Sequence, residues 1–214
     1  MSERRTAGPA GVAPEQLLFL PGASGNTDFW RPVAAALPVT LPTHHVGWPG
    51  VGPTPPDPGI TSLQGLVHSV VARLDRPTAL VAQSMGCVVA VLAALERPQQ
   101  VTHLVLAALS GGVDLQRHGA VDWRPPRTQV DPANPAHVFA AYDGDVTTRL
   151  PDVVAPTLLL WGDADPLSPV SVGRWLVDTL PRAALHVVAG GTHTFCHDRA
   201  DVVAPLVSNH IVTS

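Results

Sequence analysis

Serine, aspartate and histidine, in that order along the chain, each follow an apolar segment closely. A serine hydroxyl is a poor nucleophile until a base removes its proton, and a carboxylate can hold a histidine in the form that acts as this base. Together, these residue types predict nucleophilic catalysis at a hydroxyl, provided that the fold brings them together. The residues are Ser84, Asp165 and His193.

Ser84 lies between two segments of different periodicity. Residues 78–82 form a short apolar run that favours a strand, and an Ala-rich apolar helix pattern runs from Met85 to Glu96. In a sharp strand–turn–helix, a serine at the turn exposes its hydroxyl, and the next amide faces the same space. The alternative is a serine that only caps the helix. The motif at 82–86 leaves both interpretations open.

The elements that must position these residues alternate along the chain. Apolar runs predict six strands separated by helices, which is typical of a parallel sheet covered on both faces. In such a sheet, ligands bind beyond the carboxyl ends of the strands. The predicted strands are 16–20, 39–43, 78–82, 101–109, 157–161 and 185–188. The main predicted helices are 27–37, one from about residue 61, 85–96, 170–180 and one from about 198.

Length and composition favour a single globular domain, 1–214. Apolar residues make up 45% of the 214 residues and charged residues 14%, which suits a packed core. We expect residues 1–14 to be loose and 110–151, which is rich in proline, to form a short lid insertion with one short helix near 135–142.

The charge pattern and the cysteines exclude several classes of protein. A net charge of −4 without a basic run gives no reason to expect nucleic acid or a membrane surface as a partner. Cys87 and Cys196 do not form a disulfide framework, and no Cys/His pair has metal-site spacing, so we predict no metal and no cofactor. The N-terminus lacks the apolar core of a signal peptide, so we expect a cytoplasmic protein. We expect its partner to be a small-molecule substrate. The oligomeric state is not readable from the sequence.

Residues 16–212, apart from the insertion, resemble the α/β-hydrolase superfamily in three motifs. The segment Ala82-Gln83-Ser84-Met85-Gly86 resembles the nucleophile elbow, with alanine at the first glycine position. Residues 162–169 resemble the loop that carries the catalytic acid, and Gly190-Gly191-Thr192-His193 resembles the histidine loop before the last helix. The resemblance implies an α/β-hydrolase fold of about six parallel strands with the triad Ser84, Asp165 and His193.

The resemblance also implies an oxyanion hole and leaves rivals for two roles. The amides of Met85 and Ala23 are the expected oxyanion donors, although Pro21 stands where the family commonly has histidine. Asp163 is a rival acid whose other role would be to brace its turn, and His197 is a rival base that is also placed to cap a helix.

We expect a serine hydrolase that cleaves an ester or thioester of a small, largely apolar metabolite through an acyl-enzyme. The same triad also serves C–C bond hydrolases, lyases and cofactor-free perhydrolases, and a non-catalytic scaffold that binds a small ligand is a further alternative. Some aromatic residues are candidates to line the substrate pocket, although each is also suited to ordinary packing. They are Trp30, Trp123, Phe139 and Tyr142.

Overall fold

A six-stranded sheet forms the centre of the molecule, and every neighbouring pair of strands is parallel. The structure is a computed structural model that describes residues 11–38, 40–131 and 134–213. The strand order is β2-β1-β3-β4-β5-β6, which confirms the predicted fold class. The strands are β1 (Gln16–Leu20), β2 (Thr43–His45), β3 (Thr78–Gln83), β4 (Val101–Ala107), β5 (Thr157–Gly162) and β6 (Ala183–Val188).

Helices cover both faces of the sheet, so the central strands are buried on both sides. The helices are α1 (Arg31–Ala36), α2 (Leu63–Val71), α3 (Met85–Glu96), α4 (His137–Ala140), α5 (Val170–Thr179), α6 (Phe195–Asp198) and α7 (Ala200–Thr213). One buried apolar cluster joins the sheet to α2, α3 and α5. The other joins its opposite face to α1, α6 and α7.

Two predicted elements begin later than the sequence suggested. Strand β2 starts at Thr43 instead of residue 39, because Pro42 has no N–H to give the ladder and contributes only its carbonyl, which accepts from Leu17 N at 2.9 Å. Val39 itself lies outside the described residues. Helix α1 starts at Arg31 instead of 27 or 28, since the residues before it form hydrogen-bonded turns.

Residues 110–151 leave the sheet after β4 and return before β5 with little regular structure. Apart from α4, the described part of this segment forms 3₁₀ helices at Gln116–His118, Arg127–Gln129 and Thr147–Asp152. Within the described ranges, no helix is both long and apolar enough to cross a membrane. No group of three or more histidine, cysteine or acidic side chains suited to a metal ion occurs among those same residues.

Candidate active site

Ser84 occupies the turn between β3 and α3 with φ 56° and ψ −126°, a conformation that non-glycine residues rarely adopt. Its amide donates to Ala107 O at 2.9 Å, which ties the turn to the neighbouring strand β4. A Cβ at Gly86 would lie 2.3 Å from the carbonyl oxygen of Pro21, so the start of α3 packs directly on the loop after β1. The turn therefore has the geometry of a nucleophile elbow, and the side chain of Ser84 makes no cap hydrogen bond to the helix.

His193 lies in the loop between β6 and α6, next to Ser84. The imidazole Nε2 is 3.0 Å from Ser84 Oγ, and the ring is 20% exposed. The side-chain amide of Gln83, the residue before the serine, donates to the backbone carbonyl of His193 at 3.2 Å. The histidine is thus fixed relative to the serine through its backbone as well as its ring.

Asp165, and not Asp163, contacts the histidine. Asp165 Oδ2 lies 2.7 Å from His193 Nδ1, and the carboxylate side chain is fully buried. Its other oxygen accepts from the amides of Leu167 at 2.8 Å and Ser168 at 3.2 Å, so both oxygens are hydrogen-bonded. Asp163 instead accepts from the amide of Gly190 at 2.6 Å and braces the histidine loop.

The loops that carry the acid and the base pack against each other through glycine. A Cβ at Gly162 would lie 2.1 Å from the carbonyl oxygen of Gly191, closer than a real side chain allows. Ala164 N donates to that same carbonyl at 2.9 Å. Close backbone approach at these two glycines brings Asp165 within reach of His193.

His197, the rival base, lies away from this group. Its Nδ1 is 3.0 Å from the carbonyl oxygen of Phe29, and its ring packs at 5.9 Å from the ring of Phe29. These contacts tie α6 to the turn before α1 and give His197 no described contact with Ser84.

Ala23, the second expected oxyanion donor, lies in the loop after β1, where a Cβ at the preceding Gly22 would lie 3.1 Å from Ser84 Cβ. Gly25 N donates to Gly22 O at 3.1 Å, which makes Ala23 an inner residue of a tight turn. The indole of Trp48 also donates to Gly22 O, at 2.8 Å, and holds this turn from beneath. Met85 is the first residue of α3, so its N–H has no acceptor within the helix.

Ser110, which the sequence reasoning missed, contacts Ser84. Its hydroxyl oxygen is 2.5 Å from Ser84 Oγ, and the residue is 2% exposed. It follows β4 after Ala108, a second non-glycine residue with positive φ, at 48°. The available signal was its position: a serine directly after a predicted strand of the sheet, at the edge where ligands bind.

Two of the predicted pocket aromatics are core residues, which corrects their expected role. Trp30 is 1% exposed and packs against Phe19 and Phe29, on the face of the sheet that α1 and α7 cover. Phe139 is 0% exposed and packs on Trp48 at 5.6 Å between ring centroids. Both rings have too little open surface to bind a substrate directly.

The other two aromatics, Trp123 and Tyr142, are partly exposed and line cavities in the lid segment. Trp123 Nε1 donates to the carbonyl oxygen of Ser110 at 3.1 Å, which anchors the indole beside the site. Tyr142 packs over Gly144, and burial followed by the charge of Asp145 raises the pKa of its phenol.

Trp123 lines two cavities, and among the described residues the lining of neither includes Ser84 or His193. The first has a volume of about 300 Å³ and is lined by Ser110, Tyr142 and four aspartates from residues 110–151. The second has a volume of about 400 Å³ and is lined by Ala23, Ser24 and residues between 123 and 140. Each cavity thus reaches a neighbour of Ser84, Ser110 in the first and the loop after β1 in the second, and the indole lines both.

Cys87 and Cys196 are both buried free thiols. Burial raises the pKa of the Cys87 thiol and that of the Cys196 thiol, so both are protonated and unreactive near neutral pH. Neither is a candidate nucleophile.

The sequence of this chain is similar to those of several known proteins. The model of the alpha/beta hydrolase family matches residues 17–142. A poly(3-hydroxyalkanoate) depolymerase from Ectopseudomonas oleovorans is 28% identical in an alignment that covers 89% of this chain and 82% of the relative. A pimeloyl-(acyl-carrier protein) methyl ester esterase from Nitrosomonas europaea is 25% identical, covering 79% of this chain and 84% of the relative.

A solved hydrolase from Oleispira antarctica superimposes with a TM-score of 0.77 at 16% identity, covering 95% of this chain and 93% of that chain. At this identity the superposition speaks to the fold. The family match includes Ser84 and Ser110 and stops before Asp165 and His193. The roles of the acid and the base therefore depend on the hydrogen bonds of this chain.

Proposed function

This chain belongs to the alpha/beta hydrolase family and is a hydrolase, and from that premise we propose that Ser84, His193 and Asp165 are a catalytic triad. The proposed reaction is the cleavage of an ester or thioester of a small, largely apolar metabolite. One observation carries the proposal: Asp165, His193 and Ser84 form a continuous hydrogen-bonded chain, with contacts of 2.7 and 3.0 Å.

The hydrogen-bond partners give each proton a position. A carboxylate only accepts hydrogen bonds, so the contact with Asp165 places the proton of a neutral His193 on Nδ1. Nε2 then carries the lone pair and accepts the hydroxyl proton of Ser84. The triad is thus poised for Ser84 Oγ to lose its proton to Nε2 as it attacks a carbonyl carbon.

The two halves of the reaction use the same histidine in opposite directions. Attack by Ser84 forms the acyl-enzyme, and His193 returns the proton to the departing alcohol or thiol. Water then attacks the acyl carbon while His193 takes its proton, and Ser84 Oγ leaves with that proton as the acid is released. In both steps, the amides of Met85 and Ala23 are the proposed donors to the oxyanion.

The bond type draws on both the site and the relatives. The Nitrosomonas europaea relative is named as an esterase of a methyl ester, and we carry that bond type to this chain. The cavities of about 300 and 400 Å³, which reach Ser110 and Ala23, have volumes that suit small molecules. C–C hydrolysis, lyase and perhydrolase chemistry remain alternatives on the same triad, and a ligand-binding scaffold remains the non-catalytic one.

A chain-length series of 4-nitrophenyl esters tests the proposed activity. We expect turnover of esters with short to medium acyl chains, with an initial burst of nitrophenol as the acyl-enzyme forms. Ser84→Ala should abolish both. Asp163→Asn, which neutralises a carboxylate outside the triad but keeps an oxygen for the amide of Gly190, is the matched control and should retain most of the turnover. Absence of ester and thioester hydrolysis by a folded wild-type protein would direct attention to the alternative bond types.

A further inference from the structure

We infer that Ser110 is a fourth catalytic residue, whose hydroxyl donates a hydrogen bond to Ser84 Oγ and accelerates release of the acyl group. This inference rests on the proposed function. The observation that carries the inference is the 2.5 Å contact between the hydroxyl oxygens of Ser84 and Ser110, where Ser110 is 2% exposed.

The direction of this hydrogen bond follows from the proton positions in the triad. Ser84 has one hydroxyl hydrogen, and His193 Nε2 requires it, because Nδ1 holds the histidine proton toward Asp165. Ser84 Oγ can therefore only accept from Ser110. The nucleophilic oxygen thus gives one hydrogen bond and receives another from a neutral donor.

The surroundings of Ser110 hold its hydroxyl at the nucleophile. Ala108 N donates to Leu160 O at 3.0 Å, and the Ser110 carbonyl accepts from the indole of Trp123 at 3.1 Å. A Cβ at Gly111 would lie 2.3 Å from Met85 Sδ, so the next residue packs directly on the first residue of α3. These contacts fix the backbone of Ser110 beside Ser84.

A donor at Ser84 Oγ affects the two half-reactions differently. During attack it draws electron density from the nucleophilic oxygen, which offsets the stabilisation that it offers. During deacylation, the bond between the acyl carbon and Oγ breaks and the electron pair stays on Oγ, which takes its proton from His193 Nε2. Ser110 keeps its own proton and stabilises the charge that develops on the leaving oxygen, so deacylation gains most.

Stopped-flow hydrolysis of 4-nitrophenyl butyrate separates the two steps. In Ser110→Ala we expect the deacylation rate constant to fall about tenfold, the effect of one lost hydrogen bond, while acylation changes by less than about threefold. The nitrophenol burst should approach one equivalent per active site. The steady-state rate should become equal for 4-nitrophenyl and phenyl butyrate, because a common acyl-enzyme limits both.

Two further variants separate this role from a structural one. Ser110→Cys keeps a side chain of similar shape with a weak donor, and it should also slow deacylation more than acylation. Thr157→Val removes another buried hydroxyl, at the start of β5, where Thr157 Oγ1 donates only to Ala155 O at 3.0 Å. That variant should leave the ratio of the two rate constants unchanged.

The outcomes distinguish this inference from the proposed function. If the wild-type protein turns over esters but both Ser110 variants keep the wild-type ratio of deacylation to acylation, the role of Ser110 is overturned. If the folded wild-type protein neither turns over esters nor forms an acyl-enzyme, the proposed function fails first, and the role of Ser110 fails with it.

Discussion

Ser84 combines a strained backbone with a hydroxyl held by two neighbours. A non-glycine residue at φ 56° costs on the order of 1 kcal/mol or more, and the surrounding contacts must offset this cost. The hydrogen bond from the Ser84 amide to Ala107 O and the close packing of Gly86 on Pro21 stabilise this conformation. The strain holds the hydroxyl off the helix, where His193 and Ser110 reach it.

The two aspartates of the acid loop should differ sharply in function. Asp165→Asn should lower turnover by roughly 10³- to 10⁴-fold while leaving the fold intact, because an amide no longer selects the histidine tautomer that accepts from the serine. Asp163→Asn keeps an oxygen for the amide of Gly190 and should lower turnover by less than about tenfold. Steady-state kinetics with circular dichroism checks both, and the reverse ranking would show that the acid is misassigned.

At the residue scale, the sequence could name three residues that hydrogen bonds join in the structure, but not all their neighbours. Ser84, Asp165 and His193 follow strands, and motif spacing names them. Ser110 belongs to no motif, and its contact with Ser84 depends on the turn at Ala108. Trp30 looked like a pocket residue because exposure cannot be read from residue type, whereas the ring packs into the core.

At the scale of elements, glycines decide how closely the loops at the carboxyl edge of the sheet can pack. Gly86 lets α3 meet the loop after β1, and Gly162 lets the acid loop meet Gly191. Each contact is with backbone, which cannot rotate away from an added methyl group. These positions therefore set how closely the loops that carry Ser84, Asp165 and His193 approach one another.

Gly86→Ala should destabilise the protein and impair catalysis together. The added Cβ would lie 2.3 Å from Pro21 O, so the start of α3 must shift, at a cost of roughly 1–3 kcal/mol in the free energy of unfolding. Gly59→Ala is the matched control, because its nearest neighbour is the tip of the Asp57 side chain at 3.2 Å. Urea denaturation and ester turnover test both variants, and equal effects would contradict this account of the packing.

Trp123 should control acyl-chain selection. Trp123→Ala removes an indole that lines both cavities and should raise the relative turnover of longer acyl chains over acetate. Trp123→Phe keeps a ring and should stay close to the wild-type profile. The nitrophenyl ester series measures this directly, and an unchanged profile in Trp123→Ala would remove Trp123 from the substrate path.

Element boundaries were the least predictable part of the fold. A strand was expected at 39–43, but pairing with β1 begins only after Pro42, at Thr43. The residues expected to form the first turn of α1 instead form a hydrogen-bonded turn, in which Asn26 Oδ1 accepts from Asp28 N at 3.0 Å. Local hydrogen bonds of this kind compete with regular structure, and apolar periodicity does not report them.

Over the whole molecule, two apolar clusters share one sheet. One includes Cys87 and the other Cys196, so each thiol reports on one face. The alternation of apolar strands and helices was enough to predict six parallel strands, because βαβ units leave few other arrangements. That the chain is a single domain remains a prediction. The two free thiols, one in each cluster, offer a way to test it.

Both cysteines should become reactive in one cooperative transition. In native buffer neither thiol should react with a thiol-specific reagent, since burial raises the pKa of both. In increasing urea, Cys87→Ala and Cys196→Ala, each with one thiol left, should give the same midpoint once corrected for each variant's own stability. Separate midpoints for the two faces would contradict a single folding unit.

The most direct test of the central claim is active-site labelling with a fluorophosphonate probe, located by peptide mass spectrometry. The account predicts one equivalent of label on Ser84 in the wild-type protein, no label in Ser84→Ala, and strongly slowed labelling in a folded His193→Ala variant, because the serine then lacks its base. An unlabelled Ser84 in a folded wild-type protein, or label on another residue, would contradict it.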